Sequence, residues 1–285
     1  MIRIGAHVST SGGTHTAIGR ALDIGAETIQ VFSGSPKAWA RKTYKKDEVA
    51  EFKKLSAEHD VGPAFIHGLY LINLASPKPE QLEKSFNALV DEMTAASLIG
   101  AKGVIFHLGS HQGAGYDACV EQLIDQCQKV LTATPDDAWL ILENSAGMGG
   151  GIGSKFSELG RIVRDVGSDR VKVCLDTCHS FAANYDIASP KGLAATMAEF
   201  EGEIGLDRLV AVHANDSKAE LGRGLDRHAN IGEGHIGREG FINVMSHHAF
   251  ADLPFLLEVP GFDDEGPDAK NVAILKELRA EALKR

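Results

Sequence analysis

Residues 103–144 have the sequence GVIFHLGSHQGAGYDACVEQLIDQCQKVLTATPDDAWLILEN, in which two short apolar runs flank an amphipathic segment. The runs, Gly103–Leu108 and Trp139–Asn144, are continuous in apolar character rather than alternating, as is typical of parallel strands covered on both faces. The segment Ala118–Leu131 between them has its apolar residues at helical spacing. The stretch therefore predicts two parallel strands joined by a helix.

The same unit recurs along the whole chain. Six further apolar runs are predicted as strands, namely Ile2–Val8, Glu27–Phe32, Gly62–His67, Val171–Asp176, Leu209–Asn215 and Phe255–Val259. Gln81–Ile99 and Ala269–Leu283 are further amphipathic segments, and the second places Val272, Leu275 and Leu278 on one stripe. Eight strands alternating with helices predict an α/β fold, a closed (β/α)8 TIM barrel. With no linker or shift in composition, residues 1–285 are expected to form a single domain.

Composition limits the functional classes. Apolar residues make up 44% of the chain and charged residues 24%, as in a soluble globular protein. No run approaches the roughly 18 apolar residues of a membrane helix, and the N-terminal segment lacks the pattern of a secretory signal. We therefore expect a cytoplasmic protein with no membrane association. The formal net charge of −10 argues against a nucleic-acid partner unless bound metal ions add positive charge locally.

Metal-capable side chains stand at the predicted strand ends. In a (β/α)8 barrel, functional groups lie at the C-terminal ends of the strands. Seven of the eight predicted strands end in or beside such a residue: His7, His67, His107, Glu143, Asp176, His213 and Glu258. A single histidine at a strand end is more often structural, but seven such residues on one rim favour a metal site. His179 follows Asp176 by three residues, and Asp226 and His228 are two apart in a loop, so each pair can face one pocket.

The candidate ligands are imidazoles and carboxylates, a set that suits Zn²⁺ and also Mn²⁺ or Fe²⁺. There are nine of them: His67, His107, Glu143, Asp176, His179, His213, Asp226, His228 and Glu258. Nine are too many for one tetrahedral zinc but suffice for three, with water completing the shells. Several metals at one site are typical of phosphate-ester hydrolysis. Three divalent ions would also outweigh the four ligand carboxylates and make the pocket floor positive.

The predicted loop after the second strand is basic. Residues 33–46 carry five cations, Trp39 and Tyr44, and no acidic residue. Basic residues interleaved with aromatic ones suit a phosphate backbone and unstacked bases. The alternative is an ordinary solvated basic face, and the composition of the loop does not separate the two.

Several blocks of the chain closely resemble the signature blocks of endonuclease IV, family 2 of the AP endonucleases. They are LDTCHSFA at 175–182, DRHANIGEG at 226–234, IGAHVS at 4–9, LENSAG at 142–147 and HANDSK at 213–218. The similarity runs from Ile2 to the C-terminal helix. The resemblance implies three Zn²⁺ ions per chain. It assigns the first to His67, His107 and Glu143, the second to Glu143, Asp176, His213 and Glu258, and the third to His179, Asp226 and His228.

The resemblance also implies an activity. The family hydrolyses the phosphodiester 5′ to abasic sites in double-stranded DNA, leaving a 3′-hydroxyl and a 5′-deoxyribose phosphate, and it trims blocked 3′ ends. Glu143, which is implied to bridge two metals, is the expected catalytic residue. Lys37, Tyr70 and Leu71 match the positions that enter the DNA stack. Two departures stand out, because Lys37 replaces an arginine and Gly68-Leu69 replaces the common Ala-Pro. The protein is expected to be a monomer.

Two other classes of protein remain open. A sugar isomerase or epimerase on the same barrel needs one or two divalent ions, which Glu143, Asp176, His213 and Glu258 alone could hold. It would not need the other five candidate ligands or the basic loop. A DNA-binding protein that has lost catalysis is the third class, and the presence of all nine candidates argues against it.

Overall fold

Eight parallel strands form the centre of the molecule. The structure is a computed structural model that describes residues 1–39 and 43–285. The strands are β1 (Arg3–His7), β2 (Thr28–Phe32), β3 (Ala64–His67), β4 (Gly103–His107), β5 (Trp139–Glu143), β6 (Val171–Asp176), β7 (Leu209–His213) and β10 (Pro254–Leu257). They close into a barrel in the order β1-β10-β7-β6-β5-β4-β3-β2. The TIM barrel predicted from the sequence is confirmed.

Helices follow the strands around the outside of the barrel. Their bounds are α1 (Thr16–Ile24), α2 (Lys46–Glu58), α3 (Pro79–Ile99), α4 (Val120–Ala133), α5 (Phe156–Val166), α6 (Thr177–Ala182), α7 (Pro190–Glu203), α8 (Gly237–Ser246) and α9 (Ala269–Ala282). The three amphipathic segments singled out from the sequence correspond to α3, α4 and α9. Within the described ranges, no helix is long and apolar enough to span a membrane.

A short antiparallel hairpin stands above the barrel. Its strands are β8 (Asp216–Ser217) and β9 (His228–Ala229). The sequence did not predict it, because two-residue strands carry no periodic signal. The hairpin closes a loop that returns His228 to the rim.

Two apolar layers hold the barrel together. Inside it, six buried side chains fill the space between the strands: Phe65, Ile105, Ile141, Cys174, Ala211 and Leu256. The residues that alternate with them along each strand point outward and pack against the helices in a second, larger cluster. Because both faces of the strands are covered, the continuous apolar runs of the sequence are explained.

Close strand contacts and helix ends have local causes. A Cβ atom on Gly5 of β1 would overlap the carbonyl oxygen of Thr28 on β2, so only glycine fits there. Helix α3 begins with Pro79 in its first turn and ends at Gly100, whose φ of 76° is left-handed. These features fix the barrel that carries the rim residues.

Candidate metal centre

The barrel brings all nine candidate ligands to its carboxyl-terminal rim. His67, His107, Glu143, Asp176 and His213 are the last residues of their strands. The others lie one residue past β10, in α6, in the loop before β9 and in β9 itself: Glu258, His179, Asp226 and His228. Their ligand atoms form three groups, within each of which the atoms lie no more than 4.8 Å apart: His67/His107/Glu143, Glu143/Asp176/His213/Glu258 and His179/Asp226/His228. Asp176 and His228 form a further group of this kind with Cys178. The first three groups coincide with the ligand sets that the resemblance implies, and their occupancy by metal stays a prediction.

Glu143 joins the groups. Its Oε2 atom lies 3.0 Å from His107 Nε2 and 3.6 Å from His67 Nε2. Its Oε1 atom lies 3.1 Å from His213 Nδ1 and 3.2 Å from His179 Nδ1. One buried carboxylate therefore faces imidazoles from four different elements, and its two oxygens can serve two ions.

The group of His179, Asp226 and His228 joins α6, the loop before β9 and β9 itself. Asp226 Oδ2 lies 3.3 Å from His179 Nε2, and Asp226 Oδ1 lies 3.1 Å from His228 Nε2. Asp176 caps α6 by accepting a hydrogen bond from the backbone N–H of His179 at 2.7 Å. The strand-to-helix junction therefore fixes the positions of Asp176 and His179 relative to each other.

Hydrogen bonds to backbone carbonyl oxygens set the tautomer of three histidine rings. His67 Nδ1 lies 2.7 Å from the carbonyl oxygen of Gly68, and His179 Nδ1 lies 2.9 Å from that of Asn144. His228 Nδ1 lies 3.3 Å from the carbonyl oxygen of Glu258. A carbonyl oxygen only accepts, so each Nδ1 carries the proton and donates. In the neutral ring each Nε2 then has its lone pair free, which is the tautomer a metal requires.

Gln30 fixes a fourth imidazole and was missed from the sequence. Its Oε1 atom lies 2.8 Å from His213 Nε2, which leaves Nδ1 to face Glu143 and Glu258. Its amide nitrogen donates to Glu258 Oε1 at 2.6 Å and lies 3.1 Å from His7 Nδ1. His7 is not in any group of candidate ligands within the described residues, and burial lowers its pKa to about 3. The signal that could have revealed Gln30 in the sequence is an amide side chain inside the apolar run of β2.

Two asparagines orient the carboxylates. Asn215 donates to Asp176 Oδ2 at 2.6 Å and accepts from the backbone N–H of Glu258 at 2.9 Å. Asn144 accepts from the backbone N–H of Asp176 at 2.7 Å. Asp216, which is fully buried, accepts backbone N–H bonds from the loop after β9: Gly232, Gly234, Ile236 and Gly237. These contacts give the candidate ligands a rigid second layer of support.

The imidazoles and carboxylates of the cluster shift one another's pKa values. Burial opposes the ionised form of Glu258, but the imidazoles of His213 and His67 hold its pKa at about 2. Burial likewise opposes the charged form of His228, but Asp226 and Asp176 outweigh it and raise its pKa to about 9. In the same way, His107 and His213 hold the pKa of Glu143 well below its usual range against the effect of burial. The carboxylates of the cluster thus stay anionic at neutral pH, which is the form that binds a metal ion.

Unsatisfied buried atoms support a metal fit. Glu143 Oε2 and His228 Nε2 are both buried and have no hydrogen-bond partner within residues 1–39 and 43–285. Glu143 Oε2 approaches imidazole nitrogens, but without the geometry of a hydrogen bond. Leaving a buried polar atom unpaired costs about 1–3 kcal/mol, and a cation between these atoms would satisfy both. The donor set and its tautomers therefore fit divalent metal ions.

Cys178 lies beside the cluster without the properties of a ligand. Burial raises the pKa of its thiol to about 12, and the neighbouring charge of Asp176 acts in the same direction. The thiol therefore stays protonated, as expected for a packed cysteine.

The expected DNA-binding residues stand beside the cluster. Tyr70 is 53% exposed, and its ring centroid lies 5.3 Å from that of His67 and 5.4 Å from that of Phe32. Leu71 is half-buried and Lys37 is exposed. A cavity of about 650 Å³ extends from the ligand cluster past Tyr70 and Leu71 to Trp39. The ring of Tyr70 therefore lies between the rings at the rim and the cavity. Arg41 and Lys42 of the basic loop lie outside the described residues.

The chain is similar to proteins of one structural class. A family model described as a xylose isomerase-like TIM barrel matches residues 18–279. A D-tagatose 3-epimerase-like protein superposes with a TM-score of 0.75 at 19% identity, covering 99% of each chain, so the two share the fold. The barrel and its rim of imidazoles and carboxylates thus define an enzyme of the xylose isomerase-like TIM barrels.

Closer relatives narrow that class. A probable endonuclease 4 of Haloarcula marismortui is 39% identical over 284 residues, which cover 99% of this chain and 100% of the relative. One of Halothermothrix orenii is 40% identical over 276 residues, with 96% and 99% covered. The crystal structure of endonuclease IV from Thermus thermophilus superposes with a TM-score of 0.87 at 33% identity, covering 98% and 99%. The chain belongs to the endonuclease IV family of phosphodiester hydrolases.

Proposed function

We propose that this protein is a zinc-dependent DNA repair endonuclease. It hydrolyses the phosphodiester 5′ to abasic sites in double-stranded DNA, leaves a 3′-hydroxyl and a 5′-deoxyribose phosphate, and trims blocked 3′ ends in base excision repair. It acts as a single-domain monomer spanning residues 1–285, and its cytoplasmic location stays a prediction. The observation that carries the proposal is the set of four rim imidazoles, each held in the tautomer that leaves one nitrogen facing the carboxylates.

Three Zn²⁺ ions per chain are proposed, one for each of the three ligand sets. His67, His107 and Glu143 would hold the first, Glu143 with Asp176, His213 and Glu258 the second, and His179, Asp226 and His228 the third. Bound divalent ions supply Lewis acidity that stabilises charge on the attacking and leaving oxygens of a phosphodiester. Glu143 is the proposed catalytic residue, because its two oxygens face different sets.

The surrounding side chains suit a DNA substrate. Tyr70 and Leu71 line the cavity next to the ligand cluster, where an aromatic ring and a large aliphatic group can occupy the gap left by a missing base. Lys37 is exposed on the neighbouring loop and can meet a phosphate. In this arrangement the ligand cluster faces the phosphodiester, and side chains of the two loops enter the stack of bases.

A direct test combines cleavage with elemental analysis. Purified protein is expected to contain close to three zinc ions per chain and to incise a duplex carrying one abasic site, with no incision of the matched intact duplex. Removal of the metal by a chelator should abolish incision, and added Zn²⁺ should restore it. A metal-loaded protein that leaves the abasic duplex intact would overturn the proposal.

The isomerase alternative predicts a different pattern. A sugar isomerase needs only the group of Glu143, Asp176, His213 and Glu258, which the structure also brings together. It would retain full activity with one ion per chain and would convert a ketose. Incubation of the same zinc-loaded preparation with ketoses is expected to give no epimer, and accumulation of one would favour this class.

A further inference from the structure

A buried carboxyl group lies behind the two loops that carry the proposed DNA contacts. Glu92 stands on α3, and only 3% of it is exposed. Its Oε1 atom accepts a hydrogen bond from Ser33 Oγ, in the loop after β2, at 3.2 Å. The same oxygen accepts from the backbone N–H of Leu69, in the loop after β3, at 3.2 Å. One atom of an outer helix therefore joins both loops.

Further contacts show that the two loops form one unit. The backbone N–H of Tyr70 donates to the carbonyl oxygen of Pro36 at 3.2 Å. Pro36 precedes Lys37, and Tyr70 follows Leu69. The two bonds to Glu92 are thus each within a few residues of a side chain proposed to contact DNA. A shift of either loop would move Lys37, Tyr70 and Leu71 relative to the ligand cluster.

The burial of a carboxyl group at this place has a cost to stability. Its Oε2 atom has no hydrogen-bond partner within the described part of the chain, and an unsatisfied buried polar atom destabilises the folded state. Burial raises the pKa of Glu92 to about 8. An apolar residue of similar volume would avoid this cost but could not accept the bonds from Leu69 and Ser33, so the contribution of the carboxyl group is its link to the two loops.

The backbone of Leu69 gives that link a reason. A backbone N–H that is buried needs a hydrogen-bond acceptor. Leu69 has a buried N–H, and Glu92 satisfies it. The neighbouring Gly68 keeps the loop close to the helix, since a Cβ there would lie 2.8 Å from Phe106 Cβ and 3.4 Å from Glu92 Oε2. Gly68 and Leu69 therefore both lie against the carboxyl group.

We propose that Glu92 is a positioning residue for substrate recognition, which holds the loops after β2 and β3 at the spacing that lets Lys37, Tyr70 and Leu71 engage DNA together. The inference rests on the proposed function. It assigns Glu92 to binding through other residues, without contact with the substrate or with the reacting atoms.

The test compares two substrates, three single variants and one double variant. Glu92→Ala removes the acceptor of both bonds and is expected to raise KM for the abasic duplex about tenfold, the effect of two lost hydrogen bonds, with a much smaller change in kcat. The ratio of kcat/KM for the duplex to kcat/KM for a small activated phosphodiester should fall by the same factor. Glu92→Gln keeps an oxygen acceptor at the same place and should restore KM. Ser33→Ala, which removes one donor, should raise KM less, and should add little in the Glu92→Ala background.

A packing control separates positioning from stability. Met93→Ala, which removes a buried side chain from the same helix, should lower Tm at least as much as Glu92→Ala without changing the substrate ratio. The inference is overturned if Glu92→Ala keeps the parental KM, if Glu92→Gln does not restore it, or if both substrates lose activity in step with Tm. A parent protein that does not cleave abasic DNA at all would instead refute the proposed function.

Discussion

The rim of ligand candidates and the loops after β2 and β3 lie side by side but are built differently. Five of the nine candidate ligands are buried. Each of the three buried imidazoles is held by a hydrogen bond to a backbone carbonyl oxygen or to the side chain of Gln30. In the loops, by contrast, Lys37 is exposed and Tyr70 is half-exposed, with its ring against the rings of Phe32 and His67. The barrel framework therefore holds the candidate ligands in fixed positions, while the loops present exposed side chains that a substrate can reach.

The largest effect is expected on the rim. Glu143→Ala should lower incision of abasic duplex by several orders of magnitude, because one carboxylate serves two ligand sets. Zinc content should fall with it. Incision kinetics and elemental analysis measure both, and Glu121→Ala on the outer helix α4 is the matched control. Near-parental turnover with zinc retained would show that Glu143 does not join the sets.

Support behind the rim should matter less. Gln30→Leu removes the bonds to His213 and Glu258, and loss of such a partner typically lowers metal affinity about 10–100-fold. Competition with a chelator measures this shift. Gln126→Leu, a buried glutamine on α4, should leave zinc affinity at the parental value. Equal affinities of all three proteins would mean that Gln30 only fills space.

The rim ligands and the residues that support the rim and the loops also differ in how well the sequence predicted them. Strand ends in a barrel converge, so the position of a residue such as Asp176 at the end of an apolar run was enough to place it. Gln30 lies two residues before its strand ends, and Glu92 lies on an outer helix. Both depend on contacts between distant segments, so no local spacing revealed them.

Removal of the loop side chains should separate recognition from chemistry. The Tyr70→Ala, Leu71→Ala double variant should lose affinity for abasic duplex by about 1–3 kcal/mol, the contribution of an aromatic–base stack. It should keep its zinc, its Tm and its hydrolysis of a small activated phosphodiester. Leu22→Ala, an exposed leucine on α1, serves as control. A variant that loses both activities together, or melts well below the parent, would assign these side chains to the core.

The smallest effect is expected at Lys37. Its side chain is exposed, two residues before Trp39, which lines the cavity. If its ammonium group meets a phosphate, Lys37→Ala weakens binding of abasic duplex and lowers the slope of log affinity against log salt by about 0.9, the value for one phosphate contact. Lys37→Arg should bind as well as the parent or better, because the planar guanidinium both pairs with phosphate and stacks. Lys129→Ala on α4 has the same charge change and should leave the slope unaltered. Equal slopes for all four proteins would place Lys37 away from the DNA, and the cations of this loop would then be an ordinary solvated basic face.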